Sequence, residues 1–372
     1  MLKEFSGALG DLPLFFIFFV GFTQFSNLDP LQILFWSGVA HIIIGVVFKI
    51  PMPYQPMKAM GLYAIAHGVS QGEILAAGFA SGLLILALNS LGIFEKIYNF
   101  FPKSVIRGIQ VGLAIGLGVK AWELMHVNLG GIWCVFAVLF SFIFFRWVIP
   151  AKAGIYSFII LCIFGIAGLY IFPGISLSSQ ITWPAFHFLK FEGFQFSWTT
   201  TTLLLILIQF PLTTANSIFS PALLIRDLFP EKKISPSSIA KSVGLMNLLT
   251  CPFGGMPACH GAGGLSAQVR FGAKTGKSVM ILGFLKIISA ISLGGFFLTL
   301  AQGFPRFLLG VLFLFPAFDL GMRAFEVRGK LPVISFGITV FAYVFGNAAW
   351  AMLFGVFSYY ALKQALSSEA LV

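Results

Sequence analysis

Long apolar stretches dominate the chain, and polar residues occur mainly at the breaks between them. Most stretches approach the roughly 20 residues that a transmembrane helix needs, and they lack the alternation of a β-barrel strand. Fourteen segments are predicted, at 8–25, 31–48, 56–69, 73–92, 104–121, 129–149, 153–172, 198–224, 237–253, 258–270, 275–301, 306–322, 331–345 and 348–366. We therefore predict an all-α integral membrane protein.

Composition and charge favour the same class. Of the 372 residues, 58% are hydrophobic and 9% are charged, whereas a soluble domain carries about a quarter charged residues. With a cytoplasmic N-terminus, 18 of the 23 Lys and Arg residues fall on the inside and 3 on the outside, as the positive-inside rule requires. The net charge of +11 is thus interpreted as topology-setting loop charge. We expect a lipid bilayer as the surroundings, the plasma or inner membrane if the chain is bacterial, and no nucleic-acid partner.

Two predicted segments, 56–69 and 258–270, are too short to cross the bilayer alone. Each follows a break: "KIPMPYQPMKAMG" (49–61) is rich in proline, and "GGMPACHGAGG" (254–264) is rich in glycine. Proline disfavours a continuous helix, so we predict extended chain over 51–56. Pro56 is then expected as the first residue of a new half-helix, and Cys259 and His260 are expected on a second one.

The two breaks match each other at an offset of 204 residues, which lays Met52-Pro53 over Met256-Pro257. Seven segments per half give the second copy the opposite orientation. The pattern predicts two inverted repeats, 1–195 with segments 1–7 and 196–372 with segments 8–14. No soluble regulatory domain is expected after the last segment. Inverted repeats with broken helices are typical of secondary transporters with a midplane site.

Facing half-helix N-termini provide backbone donors for an anion. Lys58, on the first turn after the break, adds a positive charge that an anionic substrate or Asp11 would offset. Asp11 could instead reach water at the cytoplasmic interface. The eighth segment contributes polar side chains that could replace the water shell of an oxyanion, although interhelical hydrogen bonding is the alternative. These side chains are Gln209, Thr213, Thr214, Asn216, Ser217 and Ser220.

The sequence contains few signals for proton coupling, metal binding or catalysis. Proton coupling through Asp11 or His260 is one interpretation, and a hydrogen-bonding role for His260 is equally compatible. No spacing of ligands suggests a metal or another cofactor. No nucleophile, base and orienting group converge, so we do not expect an enzyme.

Four stretches resemble the molybdate transporter family, a branch of the sulfate permease superfamily: "SGALGDLPLF", "PMPYQPMKAM", "QFPLTTANSIFSP" and "GGMPACHGAGGLSAQVRFGAKTG". The resemblance implies a uracil-permease-like fold. In it, a core domain of segments 1–4 and 8–11 moves against a gate domain of segments 5–7 and 12–14, through which two copies often pair. Tyr54 departs from the small or aliphatic residue expected at its position.

The resemblance also implies a substrate site between segments 1, 3, 8 and 10. The matching positions are Asp11, Gln55, Pro56, Met57, Lys58, Thr213, Thr214, Asn216, Cys259, His260 and Gly261. Ser217 joins them from the polar face of the eighth segment.

The expected function is secondary active import of a tetrahedral oxyanion, molybdate first, by alternating access. A sulfate transporter or anion exchanger of the same fold is the nearest alternative, and tungstate competition would separate them. A nucleobase carrier would need a carboxylate between 198 and 226 or between 257 and 270. The eighth segment has none before Asp227, and the tenth has none. An anion channel would be recognised by a conductance far above carrier turnover.

Overall fold

The computed structural model of the chain describes residues 1–92, 100–125, 191–192, 195–346 and 348–369. The predicted segments 129–149 and 153–172 lie outside these ranges. Five described helical stretches are long and apolar enough to cross a membrane, or six if a bent pair counts as one span. The fold is thus that of a helical membrane protein within the described part of the chain.

Helices in the first half surround one extended break. In chain order they are α1 (Leu2–Leu9), α2 (Leu12–Ser26), α3 (Pro30–Phe48), strand β1 (Gln55–Pro56), α4 (Lys58–His67), α5 (Gln71–Ser90) and α6 (Lys103–Met125). Polar caps define several starts: Asp29 accepts from the amide of Leu31 at 2.7 Å, and Ser70 with Glu73 forms a capping box at α5. Such caps satisfy helix amides that would otherwise lack acceptors.

The second half also has helices on either side of an extended break. Its elements are α7 (Thr200–Thr213), a π-helix (Thr214–Phe219), α8 (Ser220–Leu228), α9 (Pro236–Thr250), a 3-10 turn (Cys251–Phe253), strand β2 (Ala258–Cys259), α10 (Ala262–Arg270), α11 (Lys277–Ser292), α12 (Gly294–Gly303), α13 (Arg306–Gly321), a 3-10 turn (Met322–Glu326), α14 (Lys330–Phe345) and α15 (Ala348–Glu369).

Two boundaries near the breaks differ from the sequence-based expectation. Helix α4 begins at Lys58 with Met57 as its N-cap, so Pro56 is not the first helical residue. The reason is strand pairing, because Pro56 pairs with Ala258. Likewise α10 begins at Ala262, so Cys259 lies in β2 and His260 precedes the helix.

The expected single segment 275–301 is also different. It consists of α11 and α12, which meet at an angle of 94°. Leu293 between them has a non-helical backbone, with φ −123° and ψ 23°. Gly294 and Gly295 follow it, and glycine is a poor helix former because it loses the most backbone freedom.

Helices pack in two groups. Helix α3 lies against α11, α5 lies against α9, and α4 contacts both α2 and α7. Helix α6 packs against α13, α14 and α15. Close approach of α3 to α11 depends on glycine, since a Cβ at Gly38 would lie 2.8 Å from the carbonyl oxygen of Gly283. The first group contains both breaks.

Candidate functional site

The two breaks meet as a short antiparallel pair of strands. Gln55 pairs with Cys259 and Pro56 with Ala258, and the amide of Met57 donates to the carbonyl of Pro257 at 2.9 Å. The pairing satisfies backbone groups that would be costly to leave bare inside a membrane. It also brings the start of α4 close to the start of α10.

Two aromatic side chains brace this crossing from opposite directions. The Tyr54 hydroxyl donates to the carbonyl of Met256 at 2.9 Å. His260 Nδ1 lies 2.6 Å from the carbonyl of Pro53, and Nε2 lies 2.8 Å from the Ser242 hydroxyl. A carbonyl only accepts, so Nδ1 carries a proton, and in the neutral ring Nε2 accepts from Ser242. Both ring nitrogens of His260 are therefore engaged within the protein.

Asn247 holds β2 from the side of α9. Its Nδ2 donates to the carbonyl of Ala258 at 2.7 Å, and its Oδ1 accepts from the amide of Ala258 at 2.9 Å. Both residues are fully buried. One amide side chain thus fixes both backbone groups of the residue that pairs with Pro56.

The first amides of both half-helices are left free. Neither N-cap, Met57 or Gly261, makes a side-chain capping bond. The amide of Met60 donates to Gln209 Oε1 at 3.0 Å. The remaining first-turn amides donate to no acceptor within the described chain. They belong to Lys58, Ala59, Ala262 and Gly263. Such amides at the positive end of a helix are suited to an anion.

The polar cluster of the eighth segment spans a change of helix type. The π-helix over Thr214–Phe219 interrupts the regular turn, and π-helical turns often mark functional sites. The Thr213 hydroxyl accepts from Gln209 Nε2 at 2.7 Å, and the Thr214 hydroxyl donates to the carbonyl of Phe210 at 2.8 Å. Both hydroxyls are therefore used within the helix.

Ser217 and Asn216 differ in their surroundings. The buried Ser217 hydroxyl donates to Cys259 Sγ at 3.1 Å, which links the π-helix to β2. Asn216 is partly exposed and makes no hydrogen bond among the described residues. Asn216 therefore has a polar side chain that is available to a ligand.

Asp11 lies at the junction of α1 and α2 and is 3% exposed. Gln55 Nε2 donates to Asp11 Oδ1, and a Cβ at Gly264 would lie 2.7 Å from that same oxygen. Asp11 therefore faces the protein interior, and the alternative in which it reaches interfacial water is wrong for this structure.

Lys58 is partly exposed and forms no ion pair among the described residues. It lies within electrostatic reach of Asp11 and of Cys259. Its ammonium is the charged group on the half-helix that carries the free amides.

The predicted residues thus fall into two sets. Free or partly exposed groups belong to Lys58 and Asn216 and to the half-helix amides. Side chains that are engaged in hydrogen bonds within the protein are those of Asp11, Gln55, Thr213, Thr214, Ser217, Cys259 and His260. Pro56 and Met57 contribute backbone to the strand pair, and Gly261 leaves room for Gln55.

Two residues of this region were not predicted. Asn247 is a single amide side chain in an apolar helix, just before the glycine-rich break. This position is visible in the sequence and could have indicated a contact with the break. Lys286 is a lysine in the middle of α11 and is 3% exposed. A membrane-embedded charge is itself a functional signal, although no residue motif surrounds it.

The same fold occurs in solved membrane transporters. The transmembrane domain of the cyanobacterial bicarbonate transporter BicA superposes with a TM-score of 0.68 at 14% identity, over 95% of this chain and 97% of that one. The murine anion transporter Slc26a9 in its inward-facing state gives 0.69 at 13% identity, over 99% of this chain and 68% of that one. The fold is therefore that of an integral membrane transporter.

Sequence similarity identifies a narrower group of proteins than the fold does. Residues 3–117 and 201–320 match the family described as "Molybdate transporter of MFS superfamily". Molybdate transporter 2 of Arabidopsis thaliana is 31% identical over 88% of this chain and 80% of its own length. Molybdate transporter 1 of the same plant is 30% identical over 88% and 81%. The chain belongs to the molybdate transporter family.

Proposed function

We propose that the protein is a secondary active transporter that imports a tetrahedral oxyanion, with molybdate as the first choice. The observation that carries the proposal is the pair of half-helix N-termini at the strand crossing, with four free amides and the ammonium of Lys58. The relatives named molybdate transporters support the choice of oxyanion. Binding by neutral donors and one lysine would allow release as well as capture. We therefore propose no enzymatic role.

We further propose fourteen segments in two inverted repeats, 1–195 and 196–372. The strand register supports this, because Gln55 and its partner Cys259 are 204 residues apart, the offset at which the two sequence breaks match. In an inverted repeat, equivalent residues can meet on the pseudo-two-fold axis. The N-terminus is assigned to the cytoplasm on the distribution of Lys and Arg.

We also propose alternating access, which the two packing groups support. The group with both breaks would be the core domain, and the group of α6, α13, α14 and α15 would be the gate domain. A cavity of about 580 Å³ between α4, α6 and α14 supports a path between them. Its lining includes Tyr63 and His67 from α4, Lys120 and Glu123 from α6, and Tyr343 from α14.

Within the site, we assign ligand contact to Lys58, Asn216 and the free amides. Gln55, Thr213, Thr214, Ser217, Cys259 and His260 would position them. Asp11 would set local charge. Proton coupling through Asp11 or His260 and pairing of two copies through the gate domain stay predictions.

Purified protein in liposomes tests the substrate. We expect uptake of labelled molybdate, competed by tungstate, which matches molybdate in size and charge, more effectively than by the smaller sulfate. Sulfate or uracil transport without molybdate uptake would reject the first choice and favour the corresponding alternative.

Lys58→Ala tests the site. Loss of a cation beside a bound dianion should lower tungstate affinity by at least about tenfold, measured by calorimetry. Lys241→Ala is the matched control, because Lys241 is an exposed lysine on α9. Equal affinity of the two variants would remove Lys58 from the site.

A further inference from the structure

Lys286 is a buried lysine that the proposed binding site does not yet use. It lies on α11, where Gly283, one turn earlier, packs against His41 of α3: a Cβ there would be 3.0 Å from the His41 Cβ. The side chain is 3% exposed, and its Nζ has no hydrogen-bond acceptor among the described residues. Nζ lies 3.1 Å from the centre of the Phe15 ring. Lys286 thus reaches from α11 towards α2.

Phe15 places Lys286 beside Asp11. The amide of Phe15 bonds to the carbonyl of Asp11, so the two residues are one helical turn apart at the start of α2. Asp11 lies within electrostatic reach of both Lys286 and Lys58. A lysine inside a membrane costs about 2.5 kcal/mol or more unless it is compensated. Asp11 and Lys286 form no direct ion pair among the described residues, so compensation by Asp11 would act over a longer distance.

Among the described residues, His41 is a further ionisable group within electrostatic reach of Lys286. Its Nδ1 lies 2.7 Å from the carbonyl of Ser37 and must donate. Its Nε2 is buried and has no hydrogen-bond partner in the described part of the chain. A second positive charge beside Lys286 would be unfavourable, so we take His41 as neutral. Among the described residues, the charges around Asp11 are then those of Lys286 and Lys58.

This arrangement has a consequence for the charge of the ligand. If Lys286 neutralises Asp11, Lys58 keeps its full positive charge. Each half-helix N-terminus adds roughly half a positive charge, so the site presents about two positive charges in total. If Lys286 were absent, Asp11 would offset Lys58 and leave only about one. The first arrangement suits a dianion and the second suits a monoanion.

We propose that Lys286 is the counter-charge of Asp11 and that this pair makes the site selective for doubly charged over singly charged tetrahedral oxyanions. Lys286 is a positioning residue in this proposal, because it acts on the anion through Asp11. The proposal rests on the oxyanion site described under the proposed function.

Two anions of the same shape but different charge can test the effect of charge on binding separately from the effect of shape. Molybdate is a tetrahedral dianion at neutral pH, and perrhenate is a tetrahedral monoanion of similar size. The readout is the ratio of their dissociation constants for the purified protein, measured by calorimetry. We expect the wild type to prefer molybdate. Lys286→Met should lower that preference by at least about tenfold.

The second variant restores the charge balance. Asp11→Asn with Lys286→Met removes both charges but keeps an oxygen that can accept from Gln55. We expect its molybdate preference to return to within about threefold of the wild type. Lys277→Met is the control, since Lys277 is exposed on the same helix; its preference should not change. An unchanged ratio in Lys286→Met, or a double variant as unselective as the single one, would overturn the proposal.

Misfolding of Lys286→Met would not block the test. In that case a folded double variant with wild-type selectivity supports the pair, and a double variant that also misfolds or has lost selectivity rejects it. If the wild type binds neither anion, the oxyanion function fails separately. The pair is then judged by thermal unfolding without ligand. A loss in Tm for the double variant that is smaller than the sum of the single losses supports coupling, and additive losses reject it.

Discussion

Gly264 lies in the first turn of α10, against the hydrogen-bonded side chains of Asp11 and Gln55. A Cβ at this position would be 2.7 Å from Asp11 Oδ1 and would overlap Gln55 Nε2. Both atoms are buried and form the contact between the start of α2 and β1. We therefore expect Gly264→Ala to break the Gln55–Asp11 hydrogen bond or to shift α10.

The magnitude follows from two opposing terms. A hydrogen bond to a charged group contributes about 1.5–3 kcal/mol. Alanine in place of glycine within a helix returns about 0.5–1 kcal/mol. The free energy of unfolding should thus fall by about 0.5–2.5 kcal/mol. Molybdate affinity should also weaken, because Gly263, with one of the free amides, precedes the strained residue.

Denaturant titration of the protein in detergent micelles measures the change in stability. Gly118→Ala is the control, because Gly118 lies in α6 and a Cβ there meets nothing within 4 Å. That variant should be as stable as the wild type or slightly more stable. If Gly264→Ala behaves like Gly118→Ala, the close packing of α10 on Asp11 and Gln55 is refuted.

Two further substitutions test how the crossing is held. Asn247→Leu leaves the buried amide and carbonyl of Ala258 unsatisfied. The free energy of unfolding, measured in the same titration, should therefore fall by about 2–6 kcal/mol. A loss below about 1 kcal/mol would contradict the role of Asn247 in holding β2. Tyr54→Phe removes the bond to the carbonyl of Met256 and should cost about 1–3 kcal/mol. Because Tyr54 is fully buried, the ratio of molybdate to sulfate affinity should not change, and an altered ratio would instead make Tyr54 a wall of the pocket.

Much of the architecture could be predicted from the sequence. Most apolar segments in the described chain match helices to within a few residues, because helix-length apolar runs leave few alternatives in a membrane. The two breaks were located by proline and glycine. Lys58 on the first turn of its half-helix was also confirmed, since one lysine between apolar runs leaves little ambiguity.

Other features depend on contacts that local patterns do not contain. Strand pairing with Ala258 moved the start of α4 past Pro56, and this pairing joins residues about 200 apart in sequence. Helical periodicity in a sequence assumes a regular turn, but the π-helix at Thr214–Phe219 departs from it. This departure changes which side chains of the eighth segment are free to bind a ligand. His260 and Tyr54 stabilise the strand crossing through hydrogen bonds to backbone carbonyls that are far away in the sequence. Lys286 needed the packing of α11 on α3 before it could be related to Asp11.

The location of the bound anion tests the central claim most directly. Tungstate scatters strongly, so a crystal of the protein grown with tungstate would place the ion by its anomalous signal. We predict one peak between the starts of α4 and α10, within hydrogen-bonding distance of the amides of Ala59 and Gly263 and close to the Lys58 ammonium. A peak elsewhere in the protein, with none between the half-helices, would contradict the account.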